Sequence, residues 1–104
     1  MIYVIATIEV AQGHRDAFLK EFNRNVPNVL AEEGCIEYGP NIDVHTGIGA
    51  QLPLRDRVVT IVEKWESVDA LKAHLATPHM AEYRSRVKGM VHNVTLQVLQ
   101  PAST

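Results

Sequence analysis

A chain of 104 residues is the length of one compact domain. Hydrophobic residues make up 46% and charged residues 21%; the net charge is −2, with no basic run and no acidic tail, which argues against a nucleic-acid or anionic-membrane partner. The single cysteine, Cys35, has no internal disulfide partner, and neither a signal segment nor an apolar run long enough to span a bilayer is evident, so a reducing, cytoplasmic location is expected.

Ile2 to Val10 is rich in β-branched residues and reads as a strand. Ile2, Val4, Ala6, Ile8 and Val10 point one way. Tyr3, Ile5 and Thr7 point the other and are mostly apolar too, so the strand is expected to be covered on both faces. Gln12-Gly13 breaks it. A helix then fits from about His14, with Phe18, Phe22, Val26 and Val29 as its buried stripe and Asp16 in the first turn. Pro27 costs about 3 kcal/mol in a helix interior and predicts a kink or short break, followed by a last turn to Glu33 and a stop at Gly34.

Cys35 to about Val44 reads as a second strand, with Ile36, Tyr38, Ile42 and Val44 on one buried face; Gly39-Pro40 implies a bulge or an edge position. His45 to Asp56 has little periodicity and reads as a long hairpin connection of the kind that can cover a site. Arg57 to Glu66 is a third strand, with Val58 and Val62 on one side and Val59, Ile61 and Trp65 on the other. Ser67 then caps a helix whose stripe is Val68, Leu71 and Leu75, with His74 on or beside it. Thr77-Pro78 starts another helix, lined on one side by His79, Tyr83 and Arg86 or Val87 and stopped by Gly89. Val91 to Gln100 is the fourth strand, with Val94, Leu96 and Val98 on one face, and residues 100–104 form a tail expected to fray.

The order is β-α-β-β-α-β with the second helix broken in two, a ferredoxin-like α+β arrangement: helices on one face of a four-stranded antiparallel sheet, in one domain over residues 1–104. A domain this small buries only ~60–65% of the surface its unfolded chain exposes. The helix-free face is apolar and nothing in the chain is left to cover it, so a second copy packing sheet on sheet, a symmetric homodimer, is expected.

Glu33-Gly34-Cys35 with Tyr38, then Glu63-x-Trp65-x-Ser67, then His74-x-x-x-Pro78-His79-Met80 resemble the antibiotic biosynthesis monooxygenase family, nearest its small quinol-monooxygenase-like members. The resemblance covers roughly residues 2 to 98. It implies a dimeric α+β barrel with a pocket in each protomer between sheet and helices. It also implies oxidation of quinols, anthrones and similar electron-rich aromatics by molecular oxygen with no flavin, metal or haem. Relatives that degrade haem or isomerise substrates leave other outcomes open: a non-catalytic dimer binding haem or an aromatic ligand, or an isomerase. The asparagine of the haem-degrading branch has no counterpart between Tyr3 and Glu9.

Cofactor-free oxygenation needs a dry apolar pocket, a base to ionise the substrate and a donor to hold the oxyanion. His74 suits the base role, since its helical position turns it toward Trp65; the alternative is a core histidine bonded to a backbone carbonyl. Trp65 offers a flat wall to an aromatic ring, or simply fills the core. Tyr3, Tyr38 and Tyr83 are candidate donors to an oxyanion or a substrate hydroxyl, each with packing as its alternative. Phe22 and Met80 are pocket wall or core. His79, in the first turn of its helix, where the dipole disfavours the protonated form, is a further substrate-binding candidate; the alternative is a plain first-turn residue. Cys35 reads as inert. His74 and His79 are five apart across a break, not the i, i+4 pair of a helical zinc site, so no metal is expected.

Overall fold

The computed structural model describes residues 1–103. Its elements are β1 (Ile2–Val10), α1 (Arg15–Leu30), β2 (Cys35–Asn41), β3 (Val58–Trp65), α2 (Val68–Leu75), α3 (Pro78–Val87) and β4 (Val91–Leu99). The strands form one antiparallel sheet in the order β2-β3-β1-β4. With the helices on one face this is the ferredoxin-like arrangement expected from the element order.

Strand alternation sets the two faces. Ile2, Val4, Ala6 and Ile8 of β1 stand opposite Trp65, Glu63, Ile61 and Val59 of β3, and Val4, Ala6 and Ile8 also stand opposite Val98, Leu96 and Val94 of β4. These face the helices, and their β1 and β3 members are all buried. Tyr3, Ile5 and Thr7, opposite Lys64, Val62 and Thr60, occupy the helix-free face and are only partly buried. The helices leave β4 uncovered beyond its start: on its helix-side face Val94, Leu96 and Val98 remain 52%, 48% and 39% exposed. Apolar surface is therefore left on both sides of the sheet.

Helix α1 passes through Pro27 without a break. Pro27 and Asn23, whose carbonyl loses its amide partner, both lie on the solvent side, where a freed carbonyl is open to water. Ala31 caps the helix, its N–H donating to the Pro27 carbonyl at 3.2 Å. The buried stripe is Phe18, Phe22, Asn25 and Val29. Asn25 displaces Val26 because its amide has partners: it donates to Met80 Sδ at 3.5 Å and accepts from Asn28 at 3.0 Å.

Gly34 joins α1 to β2 with φ +85°, and a Cβ there would come within 2.6 Å of the Ala70 Cβ. Only glycine lets this turn lie against the start of α2. β2 is an edge strand, as Pro40 requires. Its irregularity lies between Cys35 and Glu37 rather than at Gly39-Pro40. That shift puts Ile36 outside, 48% exposed, and leaves Tyr38 as the strand's buried aromatic. The strand also ends at Asn41, so Ile42 and Val44 belong to a long connection, half or more exposed. Arg55 closes the base of this loop on Asp43, its Nε donating at 2.9 Å and its Nη2 at 2.8 Å.

Ser67 caps α2, its hydroxyl accepting from the Ala70 N–H at 3.1 Å. Leu71 and His74 are the buried residues of this helix, and Val68 is 44% exposed at its start. Thr77 starts α3 with Pro78 in the first helical turn, but its hydroxyl donates backward to the His74 carbonyl at 2.9 Å. That bond stitches the two short helices together. No helix among the described residues is long and apolar enough to cross a membrane.

Candidate active site

The space between sheet and helices is not filled. A cavity of about 160 Å³ remains, floored by Ala6, Ile8, Ile61 and Glu63 of the sheet and closed on one side by Phe22 and Tyr38. His74, Leu75, Met80, Tyr83 and Arg84 cover it, and Val94 and Leu96 of β4 form its open rim. An apolar cavity of roughly 150 Å³ holds a benzene ring, so a single aromatic ring fits here without rebuilding the core.

Aromatic contacts shape the walls. Phe22 stacks on Tyr38 with centroids 5.3 Å apart and planes 12° from parallel, and meets Tyr83 edge-on at 5.6 Å. Tyr38 meets His74 edge-on at 5.4 Å. Burial, followed by the nearby Glu63 carboxyl, raises the Tyr38 hydroxyl far above its ordinary pKa; burial raises that of Tyr83 in the same direction. Both phenols are therefore neutral donors, suited to holding an oxyanion.

Two proton-exchanging groups reach the same space. His74 is 2% exposed, and burial pushes its pKa below the ordinary imidazole value despite the opposing bond to Glu32. Its Nδ1 lies 2.9 Å from Glu32 Oε2. Glu63 is 6% exposed, and burial pushes its carboxyl up to about 7, against the stabilising hydrogen bond from Trp65 Nε1 at 2.9 Å. A carboxyl poised there exchanges protons near neutral pH.

Phe22, Tyr38, His74, Met80 and Tyr83, all candidates from sequence, line one cavity. Trp65 does not line it. It is fully buried behind His74, with ring centroids 4.7 Å apart, and reaches the cavity only through His74 and the Glu63 carboxyl it holds. His79 also stands one layer back, its Nε2 3.1 Å from Glu32 Oε2. Tyr3 is separated from the site by the sheet: its parity in β1 puts it on the helix-free face, where Lys64 Nζ lies 5.6 Å from its ring centroid. The long loop of residues 42–57 contributes nothing to the lining. Cys35 is partly buried and its thiol pKa is raised, first by burial and then by Glu32, which keeps it protonated and unreactive.

Glu63, Glu32 and Arg84 were not among the sequence candidates. Glu63 was legible: it shares the parity of Val59, Ile61 and Trp65, so a charge on the core face of a buried strand was in view. Glu32 carries no such mark, since it meets His74 only through a contact 42 residues away in sequence.

The family model for antibiotic biosynthesis monooxygenases matches residues 1–86. The chain belongs to that family. It is 45% identical over 103 residues to the probable quinol monooxygenase YgiN of Escherichia coli K12, covering 97% of this chain and 98% of that protein. Among solved structures, PA3566 of Pseudomonas aeruginosa superposes with a TM-score of 0.80 at 26% identity, covering 98% of this chain and 94% of that one. Rv0793 of Mycobacterium tuberculosis gives 0.79 at 23% identity, covering 99% and 96%, a likeness of fold. Membership brings a monooxygenase-like function with it; this chain's own ring-sized cavity and its two proton-exchanging side chains agree with that.

Proposed function

We propose that the protein is a cofactor-independent monooxygenase that hydroxylates a quinol-like aromatic with molecular oxygen. One observation carries the reading: His74 and Glu63, a histidine held neutral and a carboxyl poised near neutrality, share an apolar cavity the size of one aromatic ring. The equation balances without an added reductant. A hydroquinone and O2 give a hydroxyquinone and water; the quinol supplies all the electrons that oxygen takes.

His74 removes the phenolic proton, and the resulting phenolate is electron-rich enough to reduce oxygen. Tyr38 and Tyr83 stand in the wall as neutral hydroxyl donors to the developing oxyanion. Glu63, when protonated, is the acid that returns a proton as an oxygen–oxygen bond breaks. Trp65 holds the Glu63 carboxyl, and Phe22 and Met80 confine the ring. The apolar walls exclude water and strengthen each of these interactions.

The same reading includes a homodimer. Tyr3, Ile5 and Val62 leave the helix-free face apolar and only partly buried, a face that a second copy would cover sheet on sheet. The experiment is oxygen uptake with a substituted hydroquinone under metal-free conditions. Enzyme-dependent consumption that stops in the His74→Ala variant is the expected result. Full turnover under strict anaerobiosis would replace the oxygenase with an isomerase. Sedimentation at micromolar concentration tests the dimer: a stable lone subunit contradicts it.

A further inference from the structure

We infer that Glu32 is the positioning residue of this site: one of its carboxylate oxygens fixes the tautomer of His74, leaving His74 Nε2 as the proton acceptor in the cavity. The inference rests on the reading of His74 as the base.

Glu32 lies in the turn between α1 and β2, outside both elements. Its backbone is tied on both sides, its N–H donating to the Val29 carbonyl at 3.0 Å and its carbonyl accepting from the Cys35 N–H at 3.2 Å. From there Oε2 reaches two imidazoles, His74 Nδ1 at 2.9 Å and His79 Nε2 at 3.1 Å. A carboxylate only accepts, so the ring hydrogen-bonded to it, that of His74, must present an N–H. For His74 that proton is on Nδ1. A neutral imidazole protonated at Nδ1 carries its lone pair on Nε2. No hydrogen bond among the described residues ends on His74 Nε2, and the ring lines the cavity.

The ring has little room to choose otherwise. Trp65 lies against it at 4.7 Å and Tyr38 meets it edge-on at 5.4 Å. His79 Nε2 stands 3.1 Å from the same oxygen of Glu32. The charged and titratable groups around His74 are Glu32 from the turn, His79 and Arg84 from α3, with Tyr38, Glu63 and Tyr83 sharing the cavity. Of the groups acting on its charge, Glu32 favours the imidazolium, and His79 and Arg84 oppose it. When Nε2 takes a proton, the new positive charge lies against Glu32 while the Nδ1–H bond stays in place. The tautomer is thus set before substrate arrives.

The test reads that tautomer directly in the substrate-free protein. Two-bond proton–nitrogen correlation spectra of the 15N-histidine-labelled protein, taken at about pH 8, distinguish the two ring nitrogens. The wild type is expected to show His74 protonated on Nδ1 with a pyridine-like Nε2. In Glu32→Gln the side-chain amide can donate as well as accept, and the pattern is expected to mix or reverse. In the same variant kcat is expected to fall on the order of 10- to 100-fold with KM little changed. The acid limb of the kcat profile should move to lower pH, because the partner that favours the imidazolium is gone. Glu32→Asp keeps the charge and should retain the wild-type tautomer with partial activity. A wild-type His74 carrying its proton on Nε2 overturns the inference, as does an unchanged tautomer in Glu32→Gln. The wild-type spectrum decides even if a variant fails to fold. A protein that consumes no oxygen with any hydroquinone would remove the proposed reaction while leaving the tautomer result to stand by itself.

Discussion

The wall of the cavity made by β3 and α2 holds Glu63 against Trp65 and His74 against Glu32, with each of these residues fixed by a bond or a packed ring. The wall made by β4 offers Val94 and Leu96, about half exposed and with no polar partner of their own. The two walls are built from the same alternation of strand residues, yet only the first is covered by helices. The buried polar groups gather on the first wall, and the opposite rim is left to apolar shape alone. Chemistry should therefore fail when the first wall is altered, and substrate fit should change when the second is.

The largest expected effect lies on the first wall. His74→Ala should lower kcat by about 10²- to 10⁴-fold, the range for loss of a general base. Circular dichroism should show the fold retained, and a variant with wild-type kcat would take His74 out of the chemistry.

Glu63→Gln separates the energetic cost of that wall from its use. The folded carboxyl titrates at about 7 against an ordinary 4.5, so the unfolded chain ionises first as pH rises. Stability contributed by this group is present below pH 4.5 and lost by pH 7, by about 3 kcal/mol from a shift of this size. Glutamine does not titrate and still offers an acceptor to Trp65. The variant is therefore expected to be more stable than wild type at pH 8, with the gap closing toward pH 4.5, measured by urea unfolding at fixed protein concentration. His74 acts in the opposite direction: its folded pKa is depressed, so stability falls as pH drops below 6.5. Both proteins carry that term and it cancels in the difference. A wild type as stable as the variant at pH 8 would mean that Glu63 is not held in a low-dielectric wall.

Ser67→Ala removes the cap of the helix that carries His74 and should cost about 1 kcal/mol of stability. The smallest effect belongs to the rim. Leu96→Ala should leave kcat and stability nearly unchanged, the latter within about 0.5 kcal/mol, and raise KM several-fold. A loss in kcat equal to that of His74→Ala would erase the contrast between the walls.

The same contrast marks what could be read in advance. Strand parity grouped Val4 with Ala6 and Ile8, and Ile61 with Val59 and Trp65, and the capping signals at Ser67 and Thr77-Pro78 located both short helices. Periodicity records which face is apolar but not what lies above it, so the exposure of Val94, Leu96 and Val98 came only with the packed helices. The bulge at Ile36 broke the parity read across β2, and Pro27 did not break α1, because it lies on the exposed side, where a freed carbonyl is open to solvent. Five of the eight site candidates line the cavity because their elements converge there. Tyr3 does not, for the reason its own alternation states: it faces away from Val4. Glu32 was invisible because a turn residue acquires its partners only when distant segments meet.

The most direct measurement of the proposed chemistry is oxygen-isotope incorporation with a hydroquinone under 18O2. One labelled atom in the hydroxyquinone and one in water is the expected result, with two proton-exchanging groups serving both ends of the oxygen molecule. Label recovered only as hydrogen peroxide, with an unlabelled quinone, would contradict it: the cavity would then promote simple oxidation and insert no oxygen.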